Sequence, residues 1–240
     1  MSLTNKTILI TGAARRIGRT LALCAARSGA NIILHHNHSV QDAQAVATEI
    51  KQLGVSCWII QADFSKPESI QKLMKNAFDT SPVFALVNSA AIFKPIQFQN
   101  TSLEDWQRHL DINLTVPFLL SQLFADSRKK DEGKIINILD WRALRPGIDH
   151  FPYTISKAAL ADMTKAMARA LAPNIQVNGL ALGAILPPSD AKKENNILKN
   201  VPAGRWADLE EVCEAFLFLL DGPQYITGEI IHLDGGRHLV

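Results

Sequence analysis

One feature constrains the fold of this 240-residue chain more than any other: short apolar runs alternate, from end to end, with longer segments of helical periodicity. Strands are expected at Lys6–Thr11, Asn31–His36, Val55–Ala62, Phe84–Asn88, Lys134–Leu139, Asn174–Leu180 and Glu229–Leu233. Helices are expected at Arg16–Ser28, Val40–Leu53, Glu68–Phe78, Tyr153–Leu171 and Leu209–Leu220. Ser102–Asp126 also reads as helical, in two pieces around Asn113 and Pro117. Strand–helix–strand units feed a parallel sheet, because neighbouring parallel strands need a crossover and a helix supplies it. The expected architecture is therefore α/β: one doubly wound domain over residues 1–240, with a seven-stranded parallel sheet and helices on both faces. The segment Ala181–Arg205, carrying glycine, prolines and Lys192, Lys193, Asn195 and Asn196, is expected as a mobile loop.

Charge narrows the function. With 25 basic and 23 acidic side chains, there is no pervasive excess of positive charge to neutralise a nucleic-acid backbone. The balance is uneven, however: Met1 to Gln41 contains no Asp or Glu, yet holds Lys6, Arg15, Arg16, Arg19 and Arg27. Strand pattern begins within a few residues of Met1, so a cleaved leader is not expected. Apolar stretches such as Ala215–Leu220 fall far short of the ~18 residues that suggest a membrane span. Cys24, Cys57 and Cys213 are odd in number and form no CxxC, which reads as reduced thiols of a cytoplasmic protein. The partner left by these exclusions is a small anionic molecule.

The basic segment has a place to bind one. Thr11-Gly12-Ala13-Ala14-Arg15-Arg16-Ile17-Gly18 joins the first strand to the first helix, where backbone N–H groups and the helix dipole favour a pyrophosphate, as in Rossmann-type folds. Gly12 permits a tight turn and Gly18 permits close packing of helix on strand. A site for NAD places a carboxylate at the end of the second strand; here that window reads His35-His36-Asn37-His38-Ser39, with no acid before Asp42. Those side chains, with Arg15 or Arg16, offer donors and charge to a 2′-phosphate, so the expected cofactor is NADP(H). The histidines also read as a solvated strand end. No Cys or carboxylate lies nearby to complete a metal site, and none is expected. Asp63, followed by Phe64, either meets the adenine edge or caps a turn; Asn88-Ser89-Ala90 brings small residues to where a backbone approaches the cofactor.

Tyr153 and Lys157 stand four apart at the start of a helical segment and so share one face, where an ammonium favours the phenolate. With the glycine turn and Asn113 in this order, the chain resembles the short-chain dehydrogenase/reductase family over essentially all its length; the Thr227-Gly228 and Gly235-Gly236 pairs fit too. That resemblance implies Tyr153 as proton donor, Lys157 tuning it and holding the nicotinamide ribose, Asn113 supporting a relay water, and a homotetramer with interfaces on the helices near Ser102–Asp126 and Tyr153–Leu171.

Two departures point to a branch. Arg16 stands where the family turn has a third glycine, and Asp140 where the catalytic serine is expected, thirteen residues before Tyr153. Both match the pteridine reductases, including bacterial dihydromonapterin reductases, to whose ending Leu233–Leu239 is particularly similar. In that branch an aromatic, here Phe93, stacks on the pterin, and Arg16 bridges a cofactor phosphate and the pterin oxygen. Other positions differ: His38 replaces a frequent arginine at the 2′-phosphate, and Leu182 a proline before Gly183, itself expected at the cofactor.

An ionised aspartate has no proton to give and repels an oxyanion, so Asp140 suits a C=N bond, whose protonated form is an iminium, better than a ketone. The expected activity is an NADPH-dependent reduction of a dihydropterin, with dihydrofolate as a secondary substrate. The alternatives are a carbonyl reductase of the 3-oxoacyl type, with Asp140 protonated, and a non-enzymatic NADP-binding regulator, which has no need of the Tyr153–Lys157 pair.

Overall fold

The computed structural model describes residues 3–128, 131–186 and 197–240. Its strands are β1 (Thr7–Ile10), β2 (Asn31–His36), β3 (Cys57–Gln61), β4 (Val83–Asn88), β5 (Gly133–Asp140), β6 (Ile175–Leu182) and β7 (Ile230–Leu233). They form one seven-stranded sheet in the order β3-β2-β1-β4-β5-β6-β7, every pair parallel. The helices are α1 (Arg16–Arg27), α2 (Val40–Gln52), α3 (Pro67–Thr80), α4 (Leu103–Leu110), α5 (Val116–Arg128), α6 (Phe151–Leu171) and α7 (Leu209–Asp221).

Alternation along the strands explains why these runs are apolar throughout rather than every second residue. Ile8, Ile10, Ile32, Leu34 and Val87 face α1, α2 and α7, against Leu21, Val46, Ile50 and Phe216. Leu9, Ile33, Leu86 and Ile135 face the other way, against Ile70, Leu73 and Met74 of α3 and Leu120 and Phe124 of α5. Each fully buried Leu or Ile contributes roughly 1.5–3 kcal/mol, so the two layers outweigh helix propensity in holding the elements.

Three expectations need correction. α4 and α5 are not separate pieces: a π-helical turn over Asp111–Thr115 joins them, and Asn113 lies inside it. Such turns carry an extra residue and often mark a functional position. α6 begins at Phe151, two residues before the expected start, with Pro152 in its first turn, where a missing N–H costs nothing. Cys24 of α1 and Cys213 of α7 are joined as a disulfide, with Cα atoms 5.6 Å apart, instead of standing as separate thiols. Cys57 is free, and burial pushes its pKa up to about 11. The middle of the expected loop, residues 187–196, lies outside the described residues. Among the described residues no helix is long and apolar enough to cross a membrane.

Candidate active site

The strand order reverses direction between β1 and β4, and the connections leaving their C-terminal ends diverge there to opposite faces of the sheet. The crevice so formed is where such sheets bind ligands. Here it is a cleft of about 2140 Å³. That exceeds the ~300–1,000 Å³ of one small-molecule site and leaves room for a dinucleotide beside a substrate.

Backbone clearance builds its first wall. Gly12 has φ 66°, and a Cβ there would lie 2.9 Å from Ala90 Cα; a Cβ at Gly18 would lie 2.2 Å from the Gly12 carbonyl oxygen. Arg16 also adopts a left-handed backbone, φ 50°, at the position where the family turn has glycine, so the turn keeps its shape at a conformational cost to a non-glycine residue. Thr11 ties the turn to the end of β4: its Oγ1 accepts from Ser89 N–H and Ala90 N–H, both at 3.0 Å.

His35 props the turn from below. Its Nδ1 accepts from Gly12 N–H (3.1 Å), leaving Nε2 to carry the proton toward Ala62 O (3.1 Å), and its ring stacks on Phe64 at 4.2 Å. Burial pulls its pKa down to about 4, so the ring is neutral near pH 7. His35, in the expected window but not assigned to the cofactor, lines the cleft with Asn37 and His38, whereas His36 and Ser39 do not. Strand alternation accounts for that: His36 projects to the opposite side and is buried, with Nδ1 unpartnered. Arg15 lines the cleft, but Asp42 in the first turn of α2 reaches back to it at 2.6 Å. Asp63 caps its turn, accepting from Ser65 N–H and Oγ–H, while also lining the cleft with Ile17 and Phe64. Among the described residues no cluster of three or more His, Cys, Asp or Glu is placed to hold a metal.

The second wall brings Asp140 from the end of β5 to Tyr153 on α6, whose hydroxyl donates to Asp140 Oδ2 at 3.2 Å. Burial first, and then the Asp140 charge and hydrogen bond, push the Tyr153 pKa well above its usual value near 10. The expectation that Lys157 draws the phenol toward phenolate is therefore corrected: a phenol facing a carboxylate holds its proton harder. Lys157 is itself buried and donates to Ile138 O (2.7 Å); burial pulls its pKa down to about 8, and the Asp140 charge opposes that.

Asn113 is fully buried and does not line the cleft. Its Oδ1 accepts from Ile92 N–H (2.9 Å), and its Nδ2 donates to Ile92 O and Ser156 Oγ, both at 3.0 Å. Its side chain anchors the loop that carries Phe93. Asn88 is likewise internal, donating to Asn137 Oδ1 (2.8 Å), while Ser89, Ala90 and Gly183 line the cleft.

Phe93 is 53% exposed, so it is no core residue; it stacks on His150 (4.0 Å, 11°) and meets the edge of Tyr153 (4.6 Å). Around it lies a network that the motifs did not reveal. Arg142 N–H donates to Asp140 Oδ1 (2.9 Å), its guanidinium lies 3.6 Å from the same atom, and it bonds Asp149 Oδ2 at 2.9 Å. Burial works against the Arg142 charge, but Asp149 and Asp140 outweigh it and raise the pKa. The His150 imidazole and the Arg142 guanidinium hold Asp149 well below the usual carboxylate range. A basic residue seven positions before an acid was the only trace of this network in the sequence, and that is too common to stand out.

The family model described as "Enoyl-(Acyl carrier protein) reductase" matches residues 12–238. The chain belongs to the short-chain dehydrogenase/reductase family. It is 35% identical to the 2-dehydro-3-deoxy-D-gluconate 5-dehydrogenase of Bacillus subtilis, across 98% of this chain and 95% of that protein. It is 33% identical to a 3-oxoacyl-[acyl-carrier-protein] reductase of Synechocystis, across 98% of both. Among solved structures it is similar to the FolM alternative dihydrofolate reductase 1 of Brucella canis complexed with NADP, with a TM-score of 0.93, 31% identity and coverage of 99% of this chain and 96% of that one. The protein is thus an oxidoreductase of this family with its seven-stranded parallel sheet.

Proposed function

We propose that this oxidoreductase is an NADPH-dependent pteridine reductase, acting on a dihydropterin of the dihydromonapterin or dihydrobiopterin type and secondarily on dihydrofolate. The observation that carries the reading is Asp140 Oδ2 within 3.2 Å of the Tyr153 hydroxyl, where reduction of a ketone calls for a neutral donor. Support for the cofactor comes from the glycine clearances, the acid-free 2′ pocket of Asn37 and His38, and the NADP held by the Brucella canis neighbour. Bound there, NADPH supplies hydride. Gly12, Arg15, Arg16, Ile17 and Gly18 would hold its phosphates, and Lys157 its ribose.

Hydride adds to C6 of the pterin and a proton to N5, so the C=N bond becomes a secondary amine. Tyr153 releases that proton to N5 as the iminium forms. Asp140 steadies the positive charge developing at N5, and Phe93 offers its exposed face to the flat ring. The same reading carries a homotetramer, and Phe98, Leu103 and Phe118, exposed on and beside α4 and α5, support an interface there.

A second reading, 3-oxoacyl reduction with Asp140 protonated, is favoured by the sequence relatives, of which the Synechocystis protein is one. Asp140→Ser separates the two. Under the leading reading it lowers kcat/KM for dihydropterins by about 100-fold or more, in the range of lost proton-transfer and charge stabilisation. Retained pterin turnover, or a rise with 3-oxoacyl thioesters as the main change, contradicts it.

A further inference from the structure

The C-terminal segment supplies an arginine to the catalytic wall for which the proposed reaction has no use. Arg237 follows the left-handed Gly235 and Gly236, and Asp234 fixes the segment by accepting from Gly236 N–H (3.0 Å), from His238 N–H (2.8 Å) and at His238 Nδ1 (2.8 Å). So held, Arg237 lines the same cleft as Asp140 and Tyr153, with Cζ 4.3 Å from the centroid of the Trp141 ring; Arg142 Cζ lies 4.7 Å from that centroid. Trp141 directly follows Asp140, which anchors the guanidinium beside the reacting centre.

This cation is short of a counter-charge. Its Nε is buried with no hydrogen-bond partner. Three carboxylates act on it electrostatically, and each is committed elsewhere: Asp234 to the turn, Asp149 to Arg142 and His150, and Asp140 to Arg142 and Tyr153. Burial and then the Arg142 charge pull the Arg237 pKa down, which opposes keeping a proton on a group that the fold nonetheless positions rigidly. A partly buried guanidinium whose Nε has no acceptor costs stability unless a ligand supplies one. Carboxylate or phosphate oxygens are its best match.

We propose that Arg237, stacked on Trp141, is an anion subsite that adds affinity for a carboxylate or phosphate on a pterin side chain, and so admits acidic pterins such as dihydrofolate beside the neutral dihydropterins. This rests on the pteridine-reductase reading and sharpens its substrate class. Arg142 sits beside it as the partner already saturated by Asp149, so the specificity falls on Arg237 alone.

The test uses the full chain with NADPH. Turnover of dihydrobiopterin is inhibited competitively by pterin-6-carboxylate, folate or 6-hydroxymethylpterin, and the ratio of inhibition constants, neutral to carboxylated, is read for wild type, Arg237→Gln and Arg237→Lys; a 6-phosphorylated pterin extends the series to phosphate. The expected wild-type ratio is about tenfold or more, equivalent to about 1.4 kcal/mol. It falls to near one in Arg237→Gln and is kept in part in Arg237→Lys, which also covers the case in which the glutamine variant does not fold. A wild-type ratio near one, or a ratio unmoved by both substitutions, overturns the subsite while leaving pterin reduction intact. Wild type that turns over no dihydropterin overturns the underlying reading instead, and the subsite with it.

Discussion

The two walls of the cleft are built from different material. The nucleotide wall is shaped by backbone: Gly12 and Gly18 clear space, Thr11 and His35 satisfy the turn's neighbouring N–H groups, and few charged side chains are needed. The catalytic wall is shaped by a web of side chains, with Asp140, Arg142, Asp149, His150, Tyr153 and Arg237 drawn from β5, the loop after it, α6 and the C-terminal segment. A backbone wall tolerates no added atoms, and charge at its rim, as at Arg15, adjusts it only slightly. A side-chain web is the reverse, and can be retuned for a new substrate by a single exchange such as serine to aspartate.

Substitutions that break this contrast are ranked by expected effect. Gly18→Ala is the largest: its Cβ would lie 2.2 Å from a backbone oxygen that has no room to move, so NADPH binding weakens by roughly 2–4 kcal/mol, about 30-fold or more, measured by quenching of tryptophan fluorescence. Unchanged affinity would show that the wall is not backbone-limited.

Next comes His35→Phe, which keeps a ring on Phe64 but strands the Gly12 N–H, for a loss of about 1–3 kcal/mol in stability, in cofactor affinity or shared between them. His35 also carries a pH signature. Its folded pKa of about 4 lies below the ordinary value of 6.5, so the unfolded chain binds a proton that the folded chain refuses. The His35 contribution is therefore complete above pH 6.5 and is lost as pH falls toward 4, up to about 3 kcal/mol. Urea denaturation of wild type and His35→Phe at pH 7 and 4.5 reads this directly: wild type loses more stability than the variant across the interval. Parallel losses would remove His35 from the account.

Asp42→Ala is the smallest. Freeing exposed Arg15 from its ion pair changes stability by only about 0.2–1 kcal/mol, but turns its charge toward the 2′-phosphate and tightens NADPH a few-fold without tightening NADH. Equal effects on both cofactors would place Arg15 away from that phosphate.

The same division governs what the amino-acid sequence makes legible. Local rules announce the strands, the glycine turn and the Tyr153–Lys157 face, because periodicity and a four-residue spacing are short-range signals. Thr11 and His35 stand inside the motifs, but their roles are not legible there: strand alternation decides which histidine of the pair faces the ligand, and the partners of Thr11, Ser89 and Ala90, come from the end of β4. Asn113 was marked by its place in the helix, but its partners Ile92 and Ser156 come from segments that the chain order keeps apart. Arg142, Asp149 and Arg237 meet only after β5, α6 and β7 are laid side by side, and nothing in their spacing foretells it.

The central claim is that the aspartate–tyrosine pair makes this a C=N reductase. The measurement that tests it most directly is NADPH oxidation by wild-type protein, at matched concentrations, with a panel of dihydropterins and a panel of 3-oxoacyl thioesters. The account predicts that kcat/KM for the best dihydropterin exceeds that for the best thioester by about two orders of magnitude, the scale of a misplaced charge facing an oxyanion. Efficient thioester reduction with no pterin turnover would contradict it.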